Sequence, residues 1–252
     1  TGCGKTMLID GGGFPDNNVF DVGRYIVAPC LRANKIGAID TVVLSHPDSD
    51  HLNGLFYVLE NFRVGRVIKG PSGCGAQSWQ SFLNLIENSE IRNSDFENTA
   101  RSLKVNGAEI HLLHPQARQD GSPKCSGANN NSIVLRVEYG GRSVLFPGDI
   151  EKCAESEIVS RAGKLAESDV LIAPHHGSKT SSGQRFLKTV DPESVIVSAR
   201  KRGYGPPSEK ILKRYKKKGC RVLRTDKKGA AHIRLSPEGE ISIEPEISGK
   251  MG

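Results

Sequence analysis

The chain has 252 residues, 37% of them apolar and 25% charged, with 35 Lys and Arg against 28 Asp and Glu for a net charge of +7. That apolar content excludes a disordered chain, and no stretch approaches the roughly 18 to 20 consecutive apolar residues of a membrane span, which predicts a soluble segment. No positively charged start precedes an apolar core, so no signal peptide is read, and the six cysteines contain no C-x-x-C pair, against zinc-finger or thioredoxin-like sites.

Lys5 to Asp10 reads as a short buried strand running into the Gly11-Gly12-Gly13 turn. An opening so close to a strand predicts a fragment cut from something longer, with the first strand of its fold missing. Val22, Ile26, Val27, Leu31 and Ile36 fall near helical spacing. Thr41 to Ser45 is β-branched and apolar, a buried strand, followed by a helix marked by Leu52, Leu55, Phe56 and Leu59 with Asp48 or Ser49 as its N-cap. Val64 to Lys69 is a strand and Trp79 to Ile86 a helix. Ser102 to Leu113 reads as two strands joined at Asn106-Gly107, a hairpin signal. After a polar loop over 115–131, Ser132 to Tyr139 alternates, turns at Gly140-Gly141 and returns as Arg142 to Phe146. Lys152 to Leu165 is helical, Asp169 to Ala173 and Val195 to Val197 are strands, Ser208 to Lys218 is a basic helix, and Cys220 to Leu223 and His232 to Leu235 are terminal strands. Strands alternating with helices early and hairpins in the middle predict a single layered α/β domain over 1–252.

Three of the strands end in side chains that bind metals: His46-Pro-Asp48-Ser-Asp50-His51, Gly148-Asp149 and His175-His176-Gly177-Ser178. Pro47 keeps His46 extended, so His46 and Asp48 face one way while Asp50 and His51 face another. That arrangement suits two adjacent metal ions with Asp149 between them. Each segment also has a plain reading, with Asp48 and Asp50 as helix caps, Asp149 as a turn residue and the His pair as structural. The joint occurrence at three strand ends favours a site.

These motifs resemble the metallo-β-lactamase superfamily, with its H-x-H-x-D-H run, later Gly-Asp and final His. Within it, Leu8-Ile-Asp-Gly-Gly12, Phe20 to Arg24, Leu44 to Gly54, Asn130 to Leu135, Pro147 to Glu151, Pro174 to Ser181 and Arg224-Thr-Asp226 look like the C-terminal domain of ComEC-type proteins, the membrane channels of DNA uptake in natural transformation. The resemblance implies a four-layer αββα sandwich and a dinuclear site with His46, Asp48, Asp50, His51, Asp149 and His176 as metal ligands. His176 is preferred as the ligand because nuclease branches present this histidine as His-x-Ser or His-x-Thr. His175 is then a phosphate contact or proton donor and Asp50 the acceptor of the water proton. Two departures stand out: Asp48 replaces the second histidine, and Asn129, Asn130 and Asn131 lie where a third is expected. His114, at a strand end, reads as structural. Harder oxygen ligands favour Mn²⁺ over Zn²⁺.

The charge is uneven. Between Arg200 and Lys228 the net is +11, which leaves the other 223 residues at −4. Lys210, Lys213, Arg214 and Lys217 share one helical face, and Arg200, Lys201 and Arg202 precede Tyr204, which is placed to stack on a base. Nucleic-acid contact is read here beside the plain alternative of a solvated helix, with anionic lipid as a third option. Relatives often carry His where this chain has Pro206. The resemblance implies a metal-dependent deoxyribonuclease that hydrolyses the non-imported strand, monomeric as an isolated domain and without a small organic cofactor. It would be joined to a transmembrane channel domain of the same parent protein and face the extracytoplasmic (periplasmic) side of the inner membrane. The rival readings are a catalytically weak DNA-guiding module and a small-molecule hydrolase of lactonase or β-lactamase type.

Overall fold

The computed structural model describes residues 4–70, 77–95, 101–115, 125–200, 205 and 207–247. The chain divides into two compact units, Thr1–Ala100 with Ala117–Ile133, and Arg101–Gln116 with Val134–Gly252.

The first unit runs β1 (Met7–Ile9), a π-helical turn (Gly23–Val27), α1 (Ala28–Ala33), β2 (Ala38–Ile39), β3 (Thr41–Leu44), α2 (Ser49–Asn61), β4 (Arg63–Val64), β5 (Arg66–Lys69), α3 (Gln77–Glu87) and β6 (Arg92–Asp95). Its main sheet is parallel, in the order β1-β3-β5-β6. All four residues of β3 are buried, as the unbroken apolar run predicts for a strand covered on both faces. Leu52, Leu55 and Val58 of α2 and Trp79, Phe82 and Ile86 of α3 pack with Val42, Leu44 and Val67 of the sheet. The helical residues recur at three- and four-residue spacing, so one stripe of each helix meets the strands. Each such burial contributes about 1.5–3 kcal/mol.

The second unit contains β7 (Ser102–Val105), β8 (Ala108–His114), β9 (Val134–Tyr139), β10 (Arg142–Phe146), α4 (Lys152–Arg161), β11 (Val170–Ile172), α5 (Gln184–Val190), β12 (Ser194–Val197), α6 (Glu209–Lys218), β13 (Arg221–Arg224), α7 (Thr225–Lys228), β14 (Ala231–Leu235) and β15 (Ile241–Pro245). Seven strands form one mixed sheet, β13-β12-β11-β10-β9-β8-β7, antiparallel from β7 to β10 and parallel from β10 to β13. Both predicted hairpin turns have two positive φ angles, 51° and 84° at Asn106-Gly107 and 58° and 75° at Gly140-Gly141. That is the geometry whose twist matches paired strands. Period-two alternation splits the parallel half of the sheet. Leu145, Leu171 and Val195 face the core made with Phe186, Leu187, Ile211 and Tyr215 of α5 and α6. Val144, Val170, Ile196 and Leu223 face Ile233, Leu235, Ile241 and Ile243 of the β14–β15 hairpin.

Several predicted boundaries shift. The Val22–Ile36 helix starts as a π-helical turn before α1, which carries Pro29 in its first turn. The helix from Lys152 ends at Arg161 and continues as a 3₁₀ turn over Gly163–Ala166. Elements β2, β6, α5, α7 and β15 have no counterpart in the sequence reading.

Glu155 of α4 anchors a buried polar knot. Its carboxylate accepts the backbone N–H of Ser182 and, at 2.8 Å, that of Gly183. Ser182 Oγ in turn meets the Tyr215 hydroxyl at 2.5 Å, and Arg214 donates to the Ser182 carbonyl. Burial pushes the Glu155 carboxyl from an ordinary value near 4.5 up to about 7, against the lowering by the two N–H donors and by Arg214 and Lys152. Between those values the folded chain holds a proton that the unfolded chain has released, so this group's contribution to stability falls as pH rises through the window. Glu155→Gln is expected to flatten that fall, worth up to about 3 kcal/mol, as read from thermal melting of both proteins between pH 4.5 and 8 in EDTA.

Candidate metal centre

Side chains of types that can hold a metal gather in each unit. In the first, β3 ends at Leu44 and hands the chain to Ser45 and His46, both buried. Asp48 occupies the N-cap position of α2, yet its side chain makes no capping bond. The carboxylate is 45% exposed, with Oδ2 at 3.6 Å from His46 Nε2. Asp48 is therefore available for a ligand's work and is not used as a cap. Asp50 lies half-buried in the first turn of α2. His51, one residue on, is buried with its ring centroid 4.1 Å from that of His46.

A residue unassigned in the sequence reading organises this set. Asp10, just past β1, adopts φ 59°, a left-handed conformation that Asp tolerates better than most residues. Its carboxylate accepts Ser45 N–H at 2.7 Å, Ser45 O–H at 2.8 Å and His51 Nδ1–H at 2.8 Å. Because the Ser45 hydroxyl donates to Asp10, its lone pairs are left to accept His46 Nδ1–H at 3.0 Å. Both imidazoles thus carry their proton on Nδ1 and keep a lone pair on Nε2, the tautomer a metal requires. His46 Nε2 is buried with no hydrogen-bond partner, which fits a nitrogen reserved for an ion. The turn that delivers Asp10 needs glycine. Gly11 N–H donates to His51 O at 2.7 Å and Gly54 N–H to Gly12 O at 2.8 Å, and a Cβ on Gly11 would stand 2.5 Å from Leu55 N. The signal for Asp10 was present in the sequence: a carboxylate at a strand end, before a run of glycines.

The Asn run forms a 3₁₀ turn, Asn129–Asn131. Its amides close their own loop, Asn131 Nδ2 donating to Gly127 O at 2.7 Å and Cys125 O at 3.1 Å. Asn131 lines a small cavity with His46.

In the second unit, Asp149 follows β10 and is buried, after Gly148 at φ 58°. His175 and His176 follow β11 and Pro174, at φ 49° and 54°. Two consecutive left-handed non-glycine residues store strain of about 1–3 kcal/mol each, a pattern concentrated at functional sites. His175 N–H donates to Gly148 O at 3.1 Å, tying the two loops together. Asp149 Oδ2 lies 3.7 Å from His175 Nε2 and 3.8 Å from His176 Nε2. These separations are too long for hydrogen bonds and close to the roughly 3.3 Å between neighbouring ligand atoms around a tetrahedral ion. His175 Nδ1 faces Glu151 Oε1 at 3.4 Å and Thr180 Oγ1 at 3.5 Å, so Glu151 and Thr180 orient that ring. His114 is buried in β8 beside Glu157 of α4, at 3.6 Å.

Of the predicted nucleic-acid contacts, Arg200 is exposed beyond β12 and Lys210, Lys213 and Lys217 are exposed on α6 opposite buried Ile211, Leu212 and Tyr215. Arg214 is half-buried in the Glu155 knot. Lys201, Arg202 and Tyr204 lie outside the described residues, as does Pro206. The surplus is partly compensated: Lys218 pairs with Asp191 and Arg224 with Asp226.

A family model described as a beta-lactamase superfamily domain matches residues 13–183. ComE operon protein 3 of Bacillus subtilis (strain 168) is 31% identical over 230 residues, which is 90% of this chain and 28% of that protein. Competence protein ComA of Neisseria gonorrhoeae is 30% identical over 234 residues, 88% of this chain and 30% of that protein. The chain spans less than a third of the length of these curated relatives. Among solved structures, the metallo-beta-lactamase fold protein YhfI from Bacillus subtilis superposes with a TM-score of 0.53 at 13% identity, covering 96% of this chain and 88% of that one. This last likeness is one of fold.

Asp10→Asn keeps an acceptor for Ser45 N–H but removes the charge behind His51. Calorimetric titration with Mn²⁺ and Zn²⁺ is expected to show affinity reduced about 10- to 100-fold, with a matching thermal midpoint in EDTA showing that the fold persists.

Proposed function

The chain belongs to the beta-lactamase superfamily domain family and has the α/β fold of that family, and from this premise we propose that it is a metal-dependent phosphodiesterase acting on DNA. The observation that carries the reading is the buried, unbonded His46 Nε2 beside a helix-capping Asp48 that does not cap, with Ser45 and Asp10 fixing the tautomer behind it. That arrangement suits an ion, since it leaves a buried nitrogen lone pair beside a carboxylate with no hydrogen bond to fill it. His46, Asp48, Asp50, His51, Asp149 and His176 are the proposed ligands. The ions would supply an acidified water and neutralise charge on the phosphate. Asp50 takes the proton of the attacking water, and His175, steered by Glu151 and Thr180, gives one to the leaving oxygen. The carboxylates in the set favour Mn²⁺ over Zn²⁺.

The DNA substrate is supported by the relatives named for competence and by the exposed lysines of α6, where phosphate contacts release counterions. The same relatives support a role in DNA uptake, with hydrolysis of the strand that is not imported and attachment to a membrane channel in a longer parent. No helix among the described residues is long and apolar enough to cross a membrane. Cys125 and Cys153 each take part in a disulfide, which supports an oxidising, extracytoplasmic compartment. The two units are taken as one domain over 1–252, since the family match runs through both, and as a monomer.

Incubated with labelled single- and double-stranded DNA, the protein is expected to cleave with Mn²⁺ and not in EDTA. Asp149→Ala is expected to lower the rate at least about 10³-fold. Binding without cleavage under Mn²⁺, Zn²⁺ and Mg²⁺ alike would instead identify a guiding module, and hydrolysis of lactones or β-lactams without action on DNA a small-molecule enzyme.

A further inference from the structure

A cleft of about 420 Å³ opens in the second unit between α4, the segment from Lys179 to Phe186 and α6. Five cations line it, Lys152, Lys179, Arg185, Lys210 and Arg214, against a single carboxylate, Glu155. Glu155 is buried and turned onto the N–H groups of Ser182 and Gly183, and so does little to cancel the charge at the mouth. Lys152, Lys179, Arg185 and Lys210 are exposed, and none makes a salt bridge among the described residues. Ser156 and Gln184 add exposed polar groups to the lining. Concave, water-facing surfaces lined by one sign of charge concentrate field lines and collect the opposite ion.

The cleft is also continuous with the metal-binding edge of this unit. Its α4 wall begins at Lys152, one residue after Glu151, and its second wall begins at Lys179, three residues after His176. Thr180, between the wall residues Lys179 and Ser181, faces His175 Nδ1 at 3.5 Å. The two loops that present Asp149 and the histidine pair therefore continue directly into the cationic walls.

We propose that this cleft binds the phosphodiester backbone of a nucleic-acid strand, with Lys152, Lys179, Arg185, Lys210 and Arg214 as its phosphate contacts. The proposal rests on the DNA reading above for its ligand class alone; it does not require cleavage. Five cations spread over three walls suit a repeating polyanion better than one carboxylate or one small anion, whose charge a single bidentate arginine would satisfy.

The test uses the full chain in EDTA, so that nothing is cut, and measures anisotropy of a labelled single-stranded oligonucleotide across a salt series. Lys179→Ala/Arg185→Ala is expected to lower the slope of log K against log salt by about 1.4, at roughly 0.7 per lost phosphate contact. Lys188→Ala, an exposed cation on α5 outside the cleft, is the control for bulk charge and is expected to leave the slope unchanged. An unchanged slope in the double variant, with the loss appearing instead in Lys213→Ala/Lys217→Ala, overturns the cleft while leaving the DNA reading intact. A wild-type protein that binds no oligonucleotide overturns both. Tight binding of inorganic phosphate that the double variant loses, with oligonucleotide binding unaltered, overturns the backbone assignment in favour of a free-phosphate pocket.

Discussion

The Asp10 carboxylate accepts three hydrogen bonds at 2.7–2.8 Å, two from Ser45 and one from His51, and the edge of the first unit that carries His46 and His51 hangs on them. The bonds join the end of β1 to the end of β3 and to the first turn of α2. One charged group thereby fixes the positions of two imidazoles and their protonation pattern. A charge withdrawn from water in this way is tolerated because both carboxylate oxygens accept hydrogen bonds. The left-handed backbone at Asp10 and the glycine contacts at Gly11 and Gly54 are the conformational cost of bringing it there. They explain why Leu8-Ile-Asp-Gly-Gly12 and His51-Leu-Asn-Gly54 must be read together, although the two segments lie some forty residues apart.

The second unit reaches a comparable result by different means. Strain in the backbone of His175 and His176 turns both rings toward Asp149, and the bond from His175 N–H to Gly148 O holds the strained turn. Glu155 stabilises the far end of the same loop by taking the N–H groups that precede α5. Helix α5 is only seven residues long, too short to hold itself. It is kept by this cap and by burial of Phe186, Leu187 and Val190. Rigid strands and a loop fixed at both ends position the side chains more accurately than a free loop would.

How legible this was in the sequence depended on the range of the forces involved. The hairpins were readable because Asn106-Gly107 and Gly140-Gly141 encode a turn in two residues, and β3 because its run is apolar throughout. The clustering of metal-type side chains was readable because His46 to His51, Asp149 and the His175-His176 pair each follow a strand closely. Asp10 went unassigned because its partners lie 35 and 41 residues away, and distance along the chain hides a hydrogen bond. Arg214 was grouped with the surface lysines by helical spacing; its half-buried bond to Ser182 O depends on tertiary packing that periodicity does not encode. Element α5 escaped because seven residues scarcely span two turns. Strand β15 escaped because Ile241 and Ile243 have meaning only opposite Ile233 and Leu235.

The strand order of the second unit bears on where this chain can be divided. The span matched by the family model stops at residue 183, but β11 bonds outward to β12 and β12 to β13. Among the described residues, the apolar face those strands share packs against the β14–β15 hairpin. Severing the chain at the edge of the match would leave β11 with an open hydrogen-bonding edge and strip an oily surface bare, the two features that drive chains to stick to one another. The span of the family model is therefore shorter than the unit that folds, and β12 to β15, though outside that span, pair with and cover the strands inside it.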